Sequence, residues 1–545
     1  METYSIRGNL VDPVNETIYA ASLEIHEGRI QKITPVEPSQ GDAFILPGFI
    51  DAHVHIESSM MVPSEFARIA TLHGTVATVS DPHEIANVLG LQGVRYMIEN
   101  GKKVPFHFYF GAPSCVPATS FETAGANLDV NAIQALFAED NLLYLSEMMN
   151  YPGVLNKDPL VMEKIETAKK WGRPIDGHAP GLKGDAAARY AAAGITTDHE
   201  CFTLEEALDK IQAGMKILIR EGSAAKNYEA LHTLLKSHPE KVMFSSDDKH
   251  PNDLVKGHIN ELVRRSIVEK KYDLMKVLRA ASYNPVQHYG LQTGLLQEGD
   301  SADFIVVDSL ENFRVLKTFV KGMLAAENGR PLIPSVPSET VNQFHISEIK
   351  MSDFACPKMK GRLQVIRALD GELITDKCLM EPKCVNGFCV SDPTRDLLKI
   401  VVVNRYKSAK PAIAFVTGFG LKSGAIASCI AHDCHNIIAV GVTDEDICSA
   451  VNSVINCKGG ISAASGKEVV FLPLAVAGIM SANDGFLIAK DYERLDKMAK
   501  SLGSGLHAPF MTLSFMALLV IPSLKLSDRG LFDAETFEFT PLQKD

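Results

Sequence analysis

From residue 48 to about 285, short apolar runs alternate with stretches whose hydrophobic residues recur at helical spacing. The pattern predicts strands at 48–54, 76–80, 106–110, 142–146, 174–177, 195–198, 215–219 and 242–246, separated by helical segments. Eight β/α units in about 240 residues is the count and length of a (β/α)8 TIM-like barrel, in which active sites sit at the C-terminal strand ends. Residues 3–45 instead alternate over short stretches, with turn signals at Gly8-Asn9, Asp12-Pro13 and Glu27-Gly28, the pattern of a small β-module. The segment 299–330 returns to short strands and is expected to complete the same sheet. The expected architecture is therefore α/β: a small β-sandwich from 1–46 and 290–330, a barrel at 47–289 and, beyond the Pro- and Ser-rich linker RPLIPSVPSET at 330–340, a C-terminal α/β domain at 341–545. Within that last region the apolar run Phe510–Ile521 is expected to be a core strand. It is too short to cross a bilayer, carries Thr512 and Ser514, and is closed by Pro509 and Pro522.

With 545 residues and 46% apolar content, the chain is expected to form two or three domains. A net charge of −12, with no basic stripe interleaved with aromatics, argues against a nucleic-acid partner. A small neutral or modestly charged molecule is the expected substrate. The opening METYSIRGNLVDP lacks a basic stretch followed by an apolar one, so a cytoplasmic chain with no membrane partner is expected. The apolar content is compatible with a homodimer or higher homo-oligomer. Ten cysteines with no CxxC pair are expected to be reduced, and Cys384 and Cys389, five apart, fit zinc spacing poorly.

Chemistry enters at the strand ends. DAHVH at 51–55 places His53 and His55 two apart on one strand, hence on one face. Beyond the fourth strand stands Glu147, beyond the fifth His178, beyond the sixth His199, and beyond the eighth Asp247. Four imidazoles and two carboxylates at one end of one barrel can hold two divalent ions with a carboxylate bridging. Two such cations lower the pKa of a shared water and so supply hydroxide, while Asp247 can accept the water's proton and pass it to a leaving group. The reaction class is hydrolysis at an electrophilic carbon bonded to nitrogen or oxygen.

These residues carry a resemblance. LPGFIDAHVHIE, His178, His199, the Asp after the eighth strand, NPV at 284–286 and GLLQEGDSADFIVVD at 294–308 together resemble the amidohydrolase superfamily over residues 1–330. IDAHVHIESSMM (50–61), DPHEIANVLG (81–90), APSCVPAT (112–119), IREGSAAKN (219–227), SSDDKHPNDL (245–254), AHDCHNI (431–437) and FLPLAVAGIMS (471–481) are similar to the bacterial adenine deaminase family over nearly the whole chain. The resemblance implies hydrolytic deamination of adenine to hypoxanthine and ammonia in purine salvage, with Mn2+ or Fe2+, two ions per chain. Many relatives bridge their metals with a carbamylated Lys; here Glu147 is the expected bridge. The superfamily's strand-eight Asp maps onto Asp247, with Asp248 leaving the register open by one residue.

Attack at C6 of neutral adenine needs an acid toward N1, and a carboxyl with a raised pKa would serve. Glu57 and Glu221, both just after strand ends, are the candidates. Ser58 and Ser59 are candidates to bind the base or to cap a helix, and His83 to orient a ligand. The cluster His432, Asp433, His435 is either a surface loop or part of the substrate pocket over the barrel mouth. Rival readings are another amidohydrolase, acting on a cyclic amide or an N-acetyl sugar, and a non-catalytic barrel protein.

Overall fold

A computed structural model describes residues 3–39 and 41–544, so Met1 and Glu2 of the opening segment lie outside the described residues. The barrel strands are β1 (Phe49–Val54), β2 (Thr75–Ser80), β3 (His107–Phe110), β4 (Leu145–Met148), β5 (Ile175–Gly177), β6 (Thr197–Asp198), β7 (Lys216–Arg220) and β8 (Val242–Ser245). Parallel pairing joins β1–β2–β3, β4–β5 and β6–β7–β8. Three short links close the ring. Ala112 bridges Leu145 between β3 and β4, the Thr196 N–H donates to Ile175 C=O at 2.8 Å between β5 and β6, and Val54 bridges Asp247 between β8 and β1. β1, β2 and β8 are buried at every position, because inward side chains fill the barrel and outward ones meet the helices.

The segments flanking the barrel interleave in one eight-stranded sheet. Phe44–Pro47 lies at its centre, parallel to Tyr4–Asp12 and antiparallel to Phe304–Val307. The sheet folds over a cluster that includes Leu10, Leu23, Ile25, Ile45, Phe304 and Phe319, and the turn at Gly28 meets residues 300–302 and Lys321. A Cβ at Gly28 (φ +77°) would lie 2.6 Å from the Lys321 carbonyl, so only glycine permits this approach. Gly8-Asn9 is not a turn. It lies inside Tyr4–Asp12, paired with Ala21 and Ala20, and its glycine is needed because a Cβ there would sit 2.7 Å from the Ala43 carbonyl.

The linker packs along the barrel: Tyr96 donates to Glu339 C=O, Lys103 to Pro337 C=O and Arg68 to Ile333 C=O. Beyond it, a mixed nine-stranded sheet is built on the fully buried Leu398–Val403, flanked by Ala412–Thr417 and Ile437–Gly441. Helix Asp444–Asn456 covers one face; Thr443 caps it by accepting from Asp446 N–H, and Asp444, Glu445 and Asp446 in the first turn suit the helix dipole. One hydrophobic cluster runs from Ile50 in β1 to Leu531 near the C-terminus, so the barrel and this region share a core. Phe510–Ile521 is not a strand. Pro509–Phe515 forms a helix with Pro at its first turn, followed by turns, and every residue from 509 to 515 is buried. A short run buried on all sides has no polar face, so its period cannot distinguish strand from helix. No described helix is long and apolar enough to cross a membrane.

Candidate metal centre and active site

The C-terminal ends of β1, β4, β5, β6 and β8 bring His53, His55, Glu147, His178, His199 and Asp247 together, each at most 5% exposed. His53 and His55 share a face as their spacing requires, with Nε2 atoms 3.2 Å apart. Asp247 Oδ1 lies 3.5 Å from His53 Nε2 and 3.3 Å from His55 Nε2. Glu147 turns one oxygen to each half of the cluster: Oε1 stands 3.4 Å from His55 Nε2, while Oε2 stands 2.9 Å from His178 Nδ1 and 3.0 Å from His199 Nε2. One carboxylate thus faces both halves of the cluster. The donor set of imidazoles and carboxylates, with a carboxylate instead of a lysine at the end of β4, suits divalent cations of borderline hardness. Among the described residues, His53/His55/Asp247 and His53/Glu147/His199 each place their ligand atoms close enough for one ion.

Local structure explains the register. Asp51 of DAHVH accepts from the Ser246 N–H at 2.9 Å, and its other oxygen lies 2.8 Å from His258 Nε2. The end of β8 is thereby pinned to β1, and Asp247, at φ +53°, turns its side chain into the cluster. Asp248 faces elsewhere: it accepts from Ser58 Oγ at 2.5 Å and lies 4.0 Å from His432 Nε2.

Charges in the cluster are tightly matched. Burial would raise the carboxyl of Asp247, but the Arg220 guanidinium, His53 and His55 hold it well below the usual range. Burial likewise opposes ionisation of Glu147, and His178 and His199 overcome it. Asp248 moves the other way, raised by burial and further by the Asp247 charge, though His432 opposes the shift. Burial lowers His178, yet Glu200 and Glu147 outweigh that and bring it up to about 9.

Not every expected residue reaches the cavity. His55, His83, Glu147, His178, Asp247 and His432 line it. Glu57 does not. It lies under the helix His83–Leu89, accepts the Ile85 N–H at 3.2 Å, and burial pushes its carboxyl up to about 7. Glu221 points away and pairs with Arg265 at 3.0 Å, because its neighbour Arg220 takes the inward position on β7. Ser59 donates to Ile56 C=O at 2.6 Å, and Ser58 reaches the cavity only through Asp248. His435 lies one layer back, its Nε2 2.6 Å from Glu84 Oε2.

Three features escaped the sequence reading. Arg220, fully buried, binds Glu200 with both amino groups and also meets Asp247. Glu200 follows His199 directly, a signal that was present in the DHE sequence. Glu84, Glu200, Asp248 and Asp433 also line the cavity, its apolar wall of Met149, Leu373, Phe515 and Leu518 comes largely from the C-terminal region, and His432 stacks on Phe515 with centroids 4.4 Å apart. The C-terminal region thus roofs the barrel mouth, with His432 Nδ1 donating to Glu84 Oε1 at 2.5 Å.

Comparison with known proteins identifies the family. Residues 44–325 match the amidohydrolase family and residues 372–538 the adenine deaminase C-terminal domain. An adenine deaminase of Salinibacter ruber is 54% identical over 540 residues, 98% of each chain, and one of a Sulfurovum species 55% over 535 residues, again 98% of each. Among solved structures, dihydropyrimidinase of Brevibacillus agri aligns with 61% of this chain and 96% of its own at 14% identity, with a TM-score of 0.48. Full-length identity above half, together with the matched C-terminal domain, establishes that the chain belongs to the adenine deaminase family.

Proposed function

We propose that the protein hydrolyses adenine to hypoxanthine and ammonia in purine salvage, at a two-ion centre held by His53, His55, Glu147, His178, His199 and Asp247. The observation that carries the reading is Glu147, one oxygen toward His55 and the other toward His178 and His199, beneath a roof from the adenine-deaminase-type C-terminal region. Two Mn2+ or Fe2+ ions would supply hydroxide at neutral pH by lowering the pKa of a shared water. The residues of the chain do the rest. Asp247, low in pKa, takes the proton of the attacking water and returns it to the departing amine. Asp248, the cavity-lining carboxyl that burial raises, is the acid toward N1 in place of Glu57 and Glu221. Arg220 orients Glu200 and Asp247 and keeps Asp247 ionised. Met149, Leu373, Phe515 and Leu518 give the purine ring apolar walls and exclude water. The functional units are the sandwich 1–46 with 290–330, the barrel 47–289 and the roof 341–545, in a cytoplasmic homo-oligomer.

The test is to incubate manganese-loaded protein with a panel of purines, pyrimidines, cyclic amides and N-acetyl sugars and to follow ammonia and acetate. Ammonia from adenine, lost on chelation and restored by Mn2+, supports the reading. Turnover of a cyclic amide or N-acetyl sugar with none of adenine contradicts it.

A further inference from the structure

We infer that Lys525 is a positioning residue for the apolar wall of the cavity. Its ammonium holds the two roof segments that carry Leu373 and Phe515 at a fixed separation, and so sets the width of the slot that receives the purine ring. The inference rests on the proposed adenine reading and extends it to a residue that lies behind the wall. Lys525 stands on the strand Leu524–Ser527, buried at every position, and is itself 0% exposed. Its Nζ donates to Leu373 C=O at 2.8 Å and to Phe515 C=O at 2.9 Å. The side chains of those same two residues line the cavity, together with Leu518.

The backbone around the ammonium makes it a junction. Phe515 C=O also accepts the Leu518 N–H at 3.3 Å, so the oxygen that Lys525 holds belongs to the turn that carries both Phe515 and Leu518. The strand's own backbone adds one tie to each segment. Leu526 N–H donates to Met516 C=O at 3.0 Å, and Leu524 C=O accepts from Thr375 Oγ1 at 2.9 Å. Leu373 is 152 residues from Lys525 in sequence and Phe515 only 10, so the lysine joins a distant segment to a local one.

Charge makes the same distinction. Two other lysines are as deeply buried, and each meets carboxylates: Lys210 pairs with Asp198 and Glu206, and Lys399 with Asp444. Lys525 meets carbonyls instead. Burial brings its ammonium down to about 7, and among the described residues no carboxylate opposes that shift. A buried charge without a counter-ion is a costly way to fill space, and an apolar side chain of similar length would serve packing as well or better. What methionine cannot supply is a donor shared by two carbonyl oxygens. The wall contacts the ring in ground state and transition state alike, so loosening it should act on KM and on discrimination, with Asp247 and the ligands at the strand ends left in place.

The experiment compares full-length wild type with Lys525→Met, both manganese-loaded and matched in circular dichroism and metal content. Two readouts are taken: hydrogen–deuterium exchange of the peptides covering 371–376 and 513–521, and steady-state kinetics on adenine and adenosine. The variant is expected to exchange faster in both peptides and to raise the KM for adenine about tenfold with a much smaller change in kcat. Its preference for adenine over adenosine in kcat/KM is expected to narrow. Unchanged exchange overturns the clamp, and faster exchange with wild-type KM and preference overturns its role in substrate selection. A fall in kcat with KM unchanged overturns that role as well. Should Lys525→Met fail to fold, Lys525→Gln, which keeps a shorter neutral donor, is read by the same criteria. A wild type that releases no ammonia from adenine sinks the adenine reading instead, while the exchange comparison still decides the clamp, so the two failures are distinguishable.

Discussion

The two sides of the cavity are built on different principles. On the β4–β8 side a guanidinium, Arg220, sits between Glu200 and Asp247, and every carboxylate facing the proposed metals has a cationic or imidazole neighbour. On the β2 side, under the C-terminal roof, the ion-pair partners of the carboxylates among the described residues are imidazoles, and the contacts cross from Glu84 to His432 and His435, about 350 residues away. The first arrangement is fixed by barrel register. The second exists only because two regions distant in sequence dock. Substitutions on the first side should therefore strike turnover and stability directly, and those on the second should act through binding and pH dependence.

The largest effect is expected for Asp247→Asn, which keeps the shape and loses the proton acceptor. Turnover should fall by roughly 10²–10⁴ while the circular dichroism spectrum is retained. Asp248→Asn should cost less and alter the pH profile; a reversal of the two would move the proton acceptor one residue along. Next comes Arg220→Leu, which strands Glu200 and Asp247 in the interior. By analogy with other broken buried pairs it should lower stability by about 3–5 kcal/mol in denaturant unfolding of metal-free protein. A loss below 1 kcal/mol would mean that the pair is compensated elsewhere.

Glu57 gives a pH-dependent effect on the roofed side. Its folded carboxyl, raised by burial from 4.5 to about 7, favours the protonated form. The stability it lends is complete below pH 4.5 and is lost as pH rises through 7. Glu57→Gln should remove that slope, worth on the order of 3 kcal/mol, between urea midpoints measured at pH 4.5 and pH 8. An unchanged slope would assign the titration elsewhere, as to Asp176, whose carboxyl burial also raises to about 7. The smallest effect is expected from His435→Ala, which takes a partner from Glu84. It should raise the KM for adenine about tenfold, near the 1.5 kcal/mol of a hydrogen bond to a charged group, with the ions of the neighbouring centre retained. Wild-type kinetics would make the loop a purely structural contact.

How much of this could be read from the sequence follows from what each feature depends on. The convergence of His53, His55, Glu147, His178, His199 and Asp247 was legible because period-two geometry and barrel polarity place them without knowledge of any distant contact. Glu221 is a carboxyl just after a strand end, as the sequence reading has it, but the inward position on β7 belongs to Arg220. Glu57 misled because proximity in sequence to His55 does not fix direction after a strand ends in a tight turn. Helix 509–515, with Phe515 against His432, was hidden because a fully buried run carries no period, and Glu84 and Asp433 because their partners come from opposite ends of the chain.

The most direct test of the central claim, a metal site reading a free purine beneath a closed roof, is the initial rate of ammonia release from adenine and from adenosine by the same manganese-loaded sample. A ribose on N9 would have to pass the wall formed by Leu373, Phe515, Leu518 and His432. The account predicts rapid release from adenine and a kcat/KM for adenosine lower by at least about 10². Comparable rates on both would show an open mouth and contradict the roof, and no release from adenine would contradict the function itself.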